Sequence, residues 1–145
     1  MSKIYDTIII GGGPAGLSAG VYAGRANLST LIIEKQYLGG QAVTTSEVVN
    51  YPGIIEIDGP SLVENMSQQA ENFGVEFEYS EITEMNFNEK VKIIHTTSGI
   101  FKAKSVIIAT GANPRKIGFP GEEKFYGRGV SYCATCDGGF YKDLD

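Results

Sequence analysis

Cys133 and Cys136 are the chain's two cysteines, and the segment SYCATCDGGF, Ser131 to Phe140, holds both. Two residues separate them, so both sulfurs can share one turn. A structural disulfide, half of a metal site and a reversible dithiol–disulfide couple all use such a pair. Structural zinc usually takes four ligands, and beyond the cysteines the sequence offers one distant histidine, His95. Zinc would therefore need a partner's ligands. In a cytosolic chain, C-x-x-C beside a βαβ unit favours redox work, because one thiolate is stabilised by its neighbour and by local dipoles. Asp137 directly follows Cys136 and suits proton exchange with a departing thiolate. A helix N-cap or a solvated charge accounts for Asp137 equally well, and the residues alone leave this open.

The elements that would feed such a couple lie at the other end of the chain. In KIYDTIIIGGGPAGLSAGVYAGRANLSTLIIEK, Ile8 to Ile10 form a continuous β-branched run, as in a strand buried on both faces of a parallel sheet. Gly11, Gly12 and Gly13 follow at once, then Pro14, favoured in a helix's first turn. From Ala15 to Arg25 most side chains are small, so this helix can lie close to a sheet, and Asn27 ends it. Leu31 to Ile33 read as a second buried strand, closing on Glu34.

Gly11, Gly13 and Gly16 fit G-x-G-x-x-G: the first for a tight turn, the second for approach to a pyrophosphate, the third for close helix packing. The helix N-terminus offers N–H groups to phosphate. Glu34 stands where a carboxylate accepts ribose hydroxyls, and an acid there disfavours a 2′-phosphate. The unit is expected to bind FAD or NAD rather than NADP. A glycine turn that only packs a helix would leave Glu34 unexplained.

YLGGQAVTTSEVVNYPGI reads as neither helix nor strand. Gly39-Gly40 offers a second backbone-approach site, and Gln41, Thr44, Thr45 and Asn50 supply hydrogen-bonding side chains. An ordinary surface loop is the alternative, but structureless connections beyond about 12–15 residues are uncommon without a function. Gly59, Pro60 and Ser61 open a helix, Ser61 with Glu64 at capping-box spacing; Leu62, Met66, Ala70 and Phe73 mark its core face, and Gly74 ends it. From Val75 the period becomes two. VEFEY, ITEMNF and the following strands, turned at Ser98-Gly99, form a small antiparallel meander inserted before a final buried parallel strand, Val106 to Ile108. His95 falls in that meander as a half-exposed strand residue without a catalytic role. Ala109 and Gly111 end the parallel strand where a ligand passes close to the sheet.

Of 145 residues, 12 are Lys or Arg and 17 Asp or Glu, a net charge of −5, with no basic run. Nucleic acid and anionic membrane both need a basic footprint, and neither is expected as a partner. No apolar run approaches the roughly 18 residues of a spanning helix, and the first residues lack the apolar core of a secretory signal. The expectation is a soluble, cytoplasmic chain, a compartment where disulfides are rarely structural. The 19 glycines cluster in the segments above.

Taken together, GGGPAGLSAGVYAGRA, GGQAVTTSEVVNYPG, IIATGA and GRGVSYCATCDG, in that order, make the chain resemble the low-molecular-weight, bacterial-type thioredoxin reductases, a group of pyridine nucleotide–disulfide oxidoreductases. The resemblance runs over essentially the whole chain and implies an α/β, Rossmann-like FAD-binding domain with a parallel sheet and the inserted meander. It implies that Gly11, Gly13, Pro14, Ala15 and Gly16 hold the FAD pyrophosphate, that Glu34 holds the adenosine ribose with Lys35 beside it, and that Gly39, Gly40, Gln41 and Asn50 follow the flavin half, with Ala109 and Gly111 also lining the cofactor. It makes Cys133 and Cys136 the redox pair, Cys136 facing the flavin and Cys133 exchanging with thioredoxin, and makes Asp137 the proton donor. Electrons would pass from NADPH to FAD, to the pair, to thioredoxin, in a homodimer.

Two features depart from that pattern. Gly139 stands where the family usually has an aromatic residue. The family's chains also continue into a second glycine motif for NADPH and a last FAD-contacting segment, and this sequence contains neither, so it reads as an N-terminal fragment truncated before the NADPH domain. The expected division is 1–113 FAD-binding domain, 114–129 linker and 130–145 start of the NADPH and redox-disulfide domain. The competing reading is a non-catalytic FAD-binding module, or a flavoprotein component fed by a separate donor such as ferredoxin or serving a peroxidase system.

Overall fold

A computed structural model describes residues 3–134 and Gly138. Cys136, Asp137 and Gly139 lie outside the described residues. The chain divides into two compact units, Met1–Gly111 and Ala112–Asp145.

The first unit is built on one six-stranded sheet. In chain order its elements are β1 (Ile4–Ile10), α1 (Pro14–Arg25), β2 (Thr30–Glu34), a 3₁₀ turn (Gly40–Thr44), α2 (Gly59–Asn72), β3 (Glu76–Tyr79), β4 (Ile82–Asn86), β5 (Lys92–Thr96) and β6 (Ile100–Ile108). The strand order is β3-β2-β1-β6-β5-β4. β1 lies between β2 and β6, parallel to both, with Ile9 opposite Ile32 and Ile107. Successive strand side chains point to opposite faces, so the isoleucine run of β1 serves two cores. Ile9 packs with Ile32, Leu17 and Val21 of α1, and Leu62, Val63 and Met66 of α2. Ile8 and Ile10 join Leu31, Ile33, Ile94 and Ala103. Ile8, Ile9 and Ile32 are fully buried, which is what a β-branched run without alternation demands.

Both helices end by the same device. Asn27 takes a left-handed φ of 56°; its N–H donates to Gly24 O and that of Leu28 to Ala23 O, closing the last carbonyls of α1 as in a Schellman motif. At the end of α2, Gly74 and Val75 donate to Glu71 O and Ala70 O in the same way.

Four sequence expectations change. The cap of α2 is Asp58, not Ser61: Asp58 Oδ1 accepts from the Ser61 N–H at 2.8 Å, and its Oδ2 from the Ser61 hydroxyl at 2.7 Å. The VEFEY segment is not part of the meander, because β3 pairs parallel with β2 at the sheet edge. Only β4, β5 and β6 form the antiparallel meander. The strand after Ser98-Gly99 and the expected buried strand are one nine-residue strand, β6; its first half pairs with β5, its length with β1, and Ile107 and Ile108 are exposed at 40% and 61%. Finally, part of the segment expected to be structureless forms the 3₁₀ turn, and Val48 and Ile57 bridge the loop that follows.

The second unit is held by turns. The N–H groups of Glu122, Phe125 and Arg128 donate to Phe119 O, Gly121 O and Phe125 O, and Val130 N–H donates to Phe125 O at 2.9 Å. Glu122 is buried within it. Among the described residues no helix is long and apolar enough to cross a membrane.

Candidate functional site

At the carboxyl end of β1 the chain turns sharply. Gly11 takes a φ of +104°, and a Cβ there would lie 2.3 Å from Ala109 O. Its N–H donates to Ile33 O at 2.9 Å, and Ala109 N–H donates to Ile10 O at 2.8 Å, so Ala109 sits against the turn. Gly16 closes the other side: a Cβ there would lie 1.9 Å from Gly11 O, a distance no side chain tolerates. The third glycine of the motif thus lets the first turn of α1 ride directly on the backbone of the first.

Gly13 is the N-cap of α1, with extended backbone and no side chain to satisfy the helix's first N–H groups. Pro14 has no N–H to satisfy, and Ala15 is exposed. The opening N–H groups of a helix have no partner inside it and carry a partial positive charge. A Cβ on Gly13 would meet only Gly39 O, at 3.9 Å. Beside the helix end the packing is loose, with a single backbone oxygen in contact range, and such a helix end suits an incoming phosphate.

Glu34 adds the acid. Its Oε2 accepts from the Gly12 N–H at 2.8 Å across 22 residues of sequence. Its Oε1 accepts from the N–H groups of Lys35 at 2.8 Å and Gln36 at 3.2 Å. A carboxylate has about four lone-pair sites, about two on each oxygen. Oε1 already accepts two bonds and Oε2 one, so Oε2 keeps capacity for a ligand hydroxyl while the side chain is held against the glycine turn. The Lys35 ammonium is engaged with Glu81 at 2.7 Å.

The second glycine pair joins the first. Gly39 N–H donates to Gly12 O at 2.8 Å. Gly39 has a φ of +105°, and a Cβ there would press on Val43 and Val63. Gly40 follows, with Gly13 Cα 3.9 Å from where its Cβ would be. The structure therefore gathers Gly11, Gly13, Gly16, Glu34, Gly39, Gly40 and Ala109 around one turn. Gln41 is exposed on the 3₁₀ turn, Asn50 on the loop that Val48 and Ile57 close, and Gly111 after β6.

Three contributors escaped the sequence reading. Gly12 is the donor to Glu34, Leu38 packs on Gly12, and Gly59 lets α2 start against the 3₁₀ turn, since a Cβ there would lie 1.7 Å from Ala42 O. The G-x-G template hides Gly12 as a variable position, and Gly59 was legible only as part of a Gly-Pro helix start.

In the second unit Cys133 is disulfide-bonded. Its N–H donates to Ser131 Oγ at 3.0 Å, and the Ser131 hydroxyl donates to Cys133 O at 3.2 Å. Glu122 Oε1 accepts from the Tyr132 hydroxyl, next to the cysteine, at 2.5 Å and from the Ile117 N–H at 2.9 Å; its Oε2 accepts from the Gly118 N–H at 2.5 Å. These bonds, that of Tyr132 first, hold the Glu122 carboxyl below its ordinary range. The same bond, with burial, pushes the Tyr132 hydroxyl up to about 12.

Residues 5–145 match the family model described as pyridine nucleotide-disulphide oxidoreductase. The chain is 51% identical to the thioredoxin reductase of Peptoclostridium acidaminophilum, over 100% of its own length and 46% of that protein. It is 53% identical to the thioredoxin reductase of Bacillus subtilis, over 97% of its length and 44% of that protein. Among solved structures, the thioredoxin reductase of Streptococcus pyogenes superimposes with a TM-score of 0.86 at 47% identity, covering 97% of this chain and 46% of that one. The chain thus spans about half the length of the curated relatives it matches.

Proposed function

The chain belongs to the pyridine nucleotide-disulphide oxidoreductase family, and from that premise we propose that it carries the FAD-binding and dithiol part of an NADPH-dependent thioredoxin-disulfide reductase. One observation carries this reading: a glycine turn, a helix N-terminus and a carboxylate meet at one place, with Glu34 bonded to Gly12 and only Gly39 O in contact range of a side chain at Gly13. That arrangement fits a dinucleotide. In this reading the first-turn N–H groups of α1, with Gly11, Gly13, Pro14, Ala15 and Gly16, take the pyrophosphate. Glu34 takes the adenosine ribose, with Lys35 at its flank. Gly39, Gly40, Gln41, Asn50, Ala109 and Gly111 line the rest.

FAD, when bound, supplies a two-electron carrier between a nicotinamide and a disulfide. The protein's own chemistry is thiol exchange. A Cys133 thiolate attacks a thioredoxin disulfide, a mixed disulfide forms and one thioredoxin sulfur leaves. Cys136 then attacks Cys133, releasing the second sulfur and closing the Cys133–Cys136 bond. Asp137 gives or takes the proton of the departing thiolate. Residues 1–113 form the FAD-binding domain, 114–129 the linker and 130–145 the opening of the NADPH and redox-disulfide domain. In this reading the protein works in the cytoplasm, as a homodimer. The likeness of its relatives, named thioredoxin reductases, supports the choice of substrate.

A trapping experiment tests it. With Cys136→Ser, Cys133 is left without its resolving partner, and the full chain is expected to form a stable one-to-one mixed disulfide with thioredoxin carrying an activated thiol. Cys133→Ser is expected to trap far less. Equal trapping by both variants would contradict the assignment of Cys133 as the exchanging thiol, and trapping by neither would contradict thioredoxin as the substrate.

A further inference from the structure

The turn-rich segment before the cysteine contains a buried carboxylate that the redox reading does not use. Glu122 is 3% exposed. Burying a carboxylate is costly unless it is hydrogen-bonded, and three donors meet this one: the N–H groups of Ile117 and Gly118, and the Tyr132 hydroxyl. Two backbone donors suffice to close the local turn. The third comes from the residue that adjoins Cys133. Tyr132 is also packed against Tyr126, ring centroids 5.5 Å apart, and Ser131 brackets Cys133 through its N–H and its carbonyl. The backbone entering the cysteine is therefore fixed at two successive residues.

We propose that Glu122 is a positioning residue for Cys133: by holding the Tyr132 hydroxyl it restrains the backbone at the cysteine and shifts the dithiol–disulfide equilibrium toward the disulfide. The proposal rests on reading Cys133 as a redox residue. Its physical basis is effective concentration. Two thiols close a disulfide more favourably the less their chain wanders, so a latch on the adjoining residue favours the closed form. The latch stays made around neutral pH, because the carboxyl is held ionised and the phenol protonated.

The test measures equilibrium with a dithiol reductant and requires no flavin, so it stands or falls apart from FAD binding. The full chain is titrated with reduced and oxidised dithiothreitol. The protein's S–S bond breaks, two S–H bonds form with two electrons and two protons from the reductant, and the reductant closes its own S–S bond; alkylation and mass spectrometry count the thiols. Tyr132→Phe, which deletes one hydrogen bond and nothing else, is expected to raise the equilibrium constant for reduction about three- to tenfold, tenfold corresponding to about 30 mV for a two-electron couple. Glu122→Gln is expected to shift it in the same direction. The double variant is expected to go no further than the larger single shift, as for partners in one contact. Equilibrium constants within about twofold of wild type in Tyr132→Phe, whether or not the melting temperature falls, would overturn the proposal and leave Glu122 a purely structural residue. If Glu122→Gln fails to fold, Tyr132→Phe decides the matter alone.

Discussion

The Gly12 N–H donates to Glu34 Oε2 at 2.8 Å, so the acid at the end of β2 is tied to the glycine turn at the end of β1. The side chain expected to meet the ribose is also a strut of the loop expected to meet the phosphates. Glu34→Gln keeps an acceptor but loses the charge and presents an amide N–H₂ to further donors. Hydrogen bonds to charged groups contribute about 1.5–3 kcal/mol. The expected outcome is a loss of FAD affinity of roughly tenfold or more, with the unliganded protein destabilised by about 1 kcal/mol. Fluorescence titration and chemical denaturation read the two effects separately.

Gly16 and Gly13 belong to one motif, yet the structure separates their roles. A Cβ at Gly16 would lie 1.9 Å from Gly11 O, whereas at Gly13 it would meet only Gly39 O at 3.9 Å. Gly16→Ala forces the helix off the turn and is expected to cost roughly 1–3 kcal/mol of stability, as overpacking does. Gly13→Ala, at a φ of −75°, is expected to leave stability nearly unchanged but to weaken FAD binding, because the new methyl faces the open side. Urea melts and FAD titration of both variants check the contrast.

Acid stability has a specific contributor away from the site. Asp6 accepts from the Lys104 ammonium at 2.5 Å and, through Oδ2, from the Ser29 N–H at 2.9 Å and hydroxyl at 3.0 Å. These bonds, Lys104 first, bring its carboxyl from 3.8 down to about 2. A depressed pKa means the contribution is present above the unfolded value and is lost as pH falls through the folded one. The stability difference between wild type and Asp6→Asn is therefore expected to hold near neutral pH and to shrink between about pH 4 and pH 2. Denaturation midpoints across that range measure it.

Tyr5 supplies the alkaline counterpart. Burial first, then its hydrogen bond to Glu76 Oε2 at 2.9 Å, raises its hydroxyl from 10.0 to about 12. A raised pKa contributes below the unfolded value and fades as pH rises through the folded one. Tyr5→Phe is expected to be less stable than wild type at neutral pH and to lose that deficit between about pH 10 and pH 12, as melting temperatures of the two proteins would show.

What the sequence revealed follows local signals. β1, the glycine turn, α1 and β2 were legible because β-branched runs and clustered glycines allow few conformations. The partners of β3 were not legible. Alternation of Val75, Phe77 and Tyr79 fixes which side chains share a face, but carries nothing about strand direction, and β3 took the parallel edge beside β2. The cap of α2 had its own signal in Asp58 and Ser61, three apart, but the Gly-Pro between them drew the helix start onward. The burial of Glu122 left no trace in sequence at all. It depends on Tyr132, ten residues later, and on backbone N–H groups that a composition of turn residues does not specify. Gly39 reads from the sequence as a place of backbone approach, yet its bond to Gly12 O, which brings two glycine clusters together, is a tertiary fact.

The most direct measurement is a titration of the full chain with FAD, followed by flavin fluorescence and competed with ADP, which presents the adenosine ribose and a diphosphate alone. The expected result is one FAD bound per chain, displaced by ADP and weakened in both Gly13→Ala and Glu34→Gln. A folded chain that binds no FAD, or binds it with an affinity that ADP and both substitutions leave unchanged, would contradict the assignment of the glycine turn as the nucleotide site.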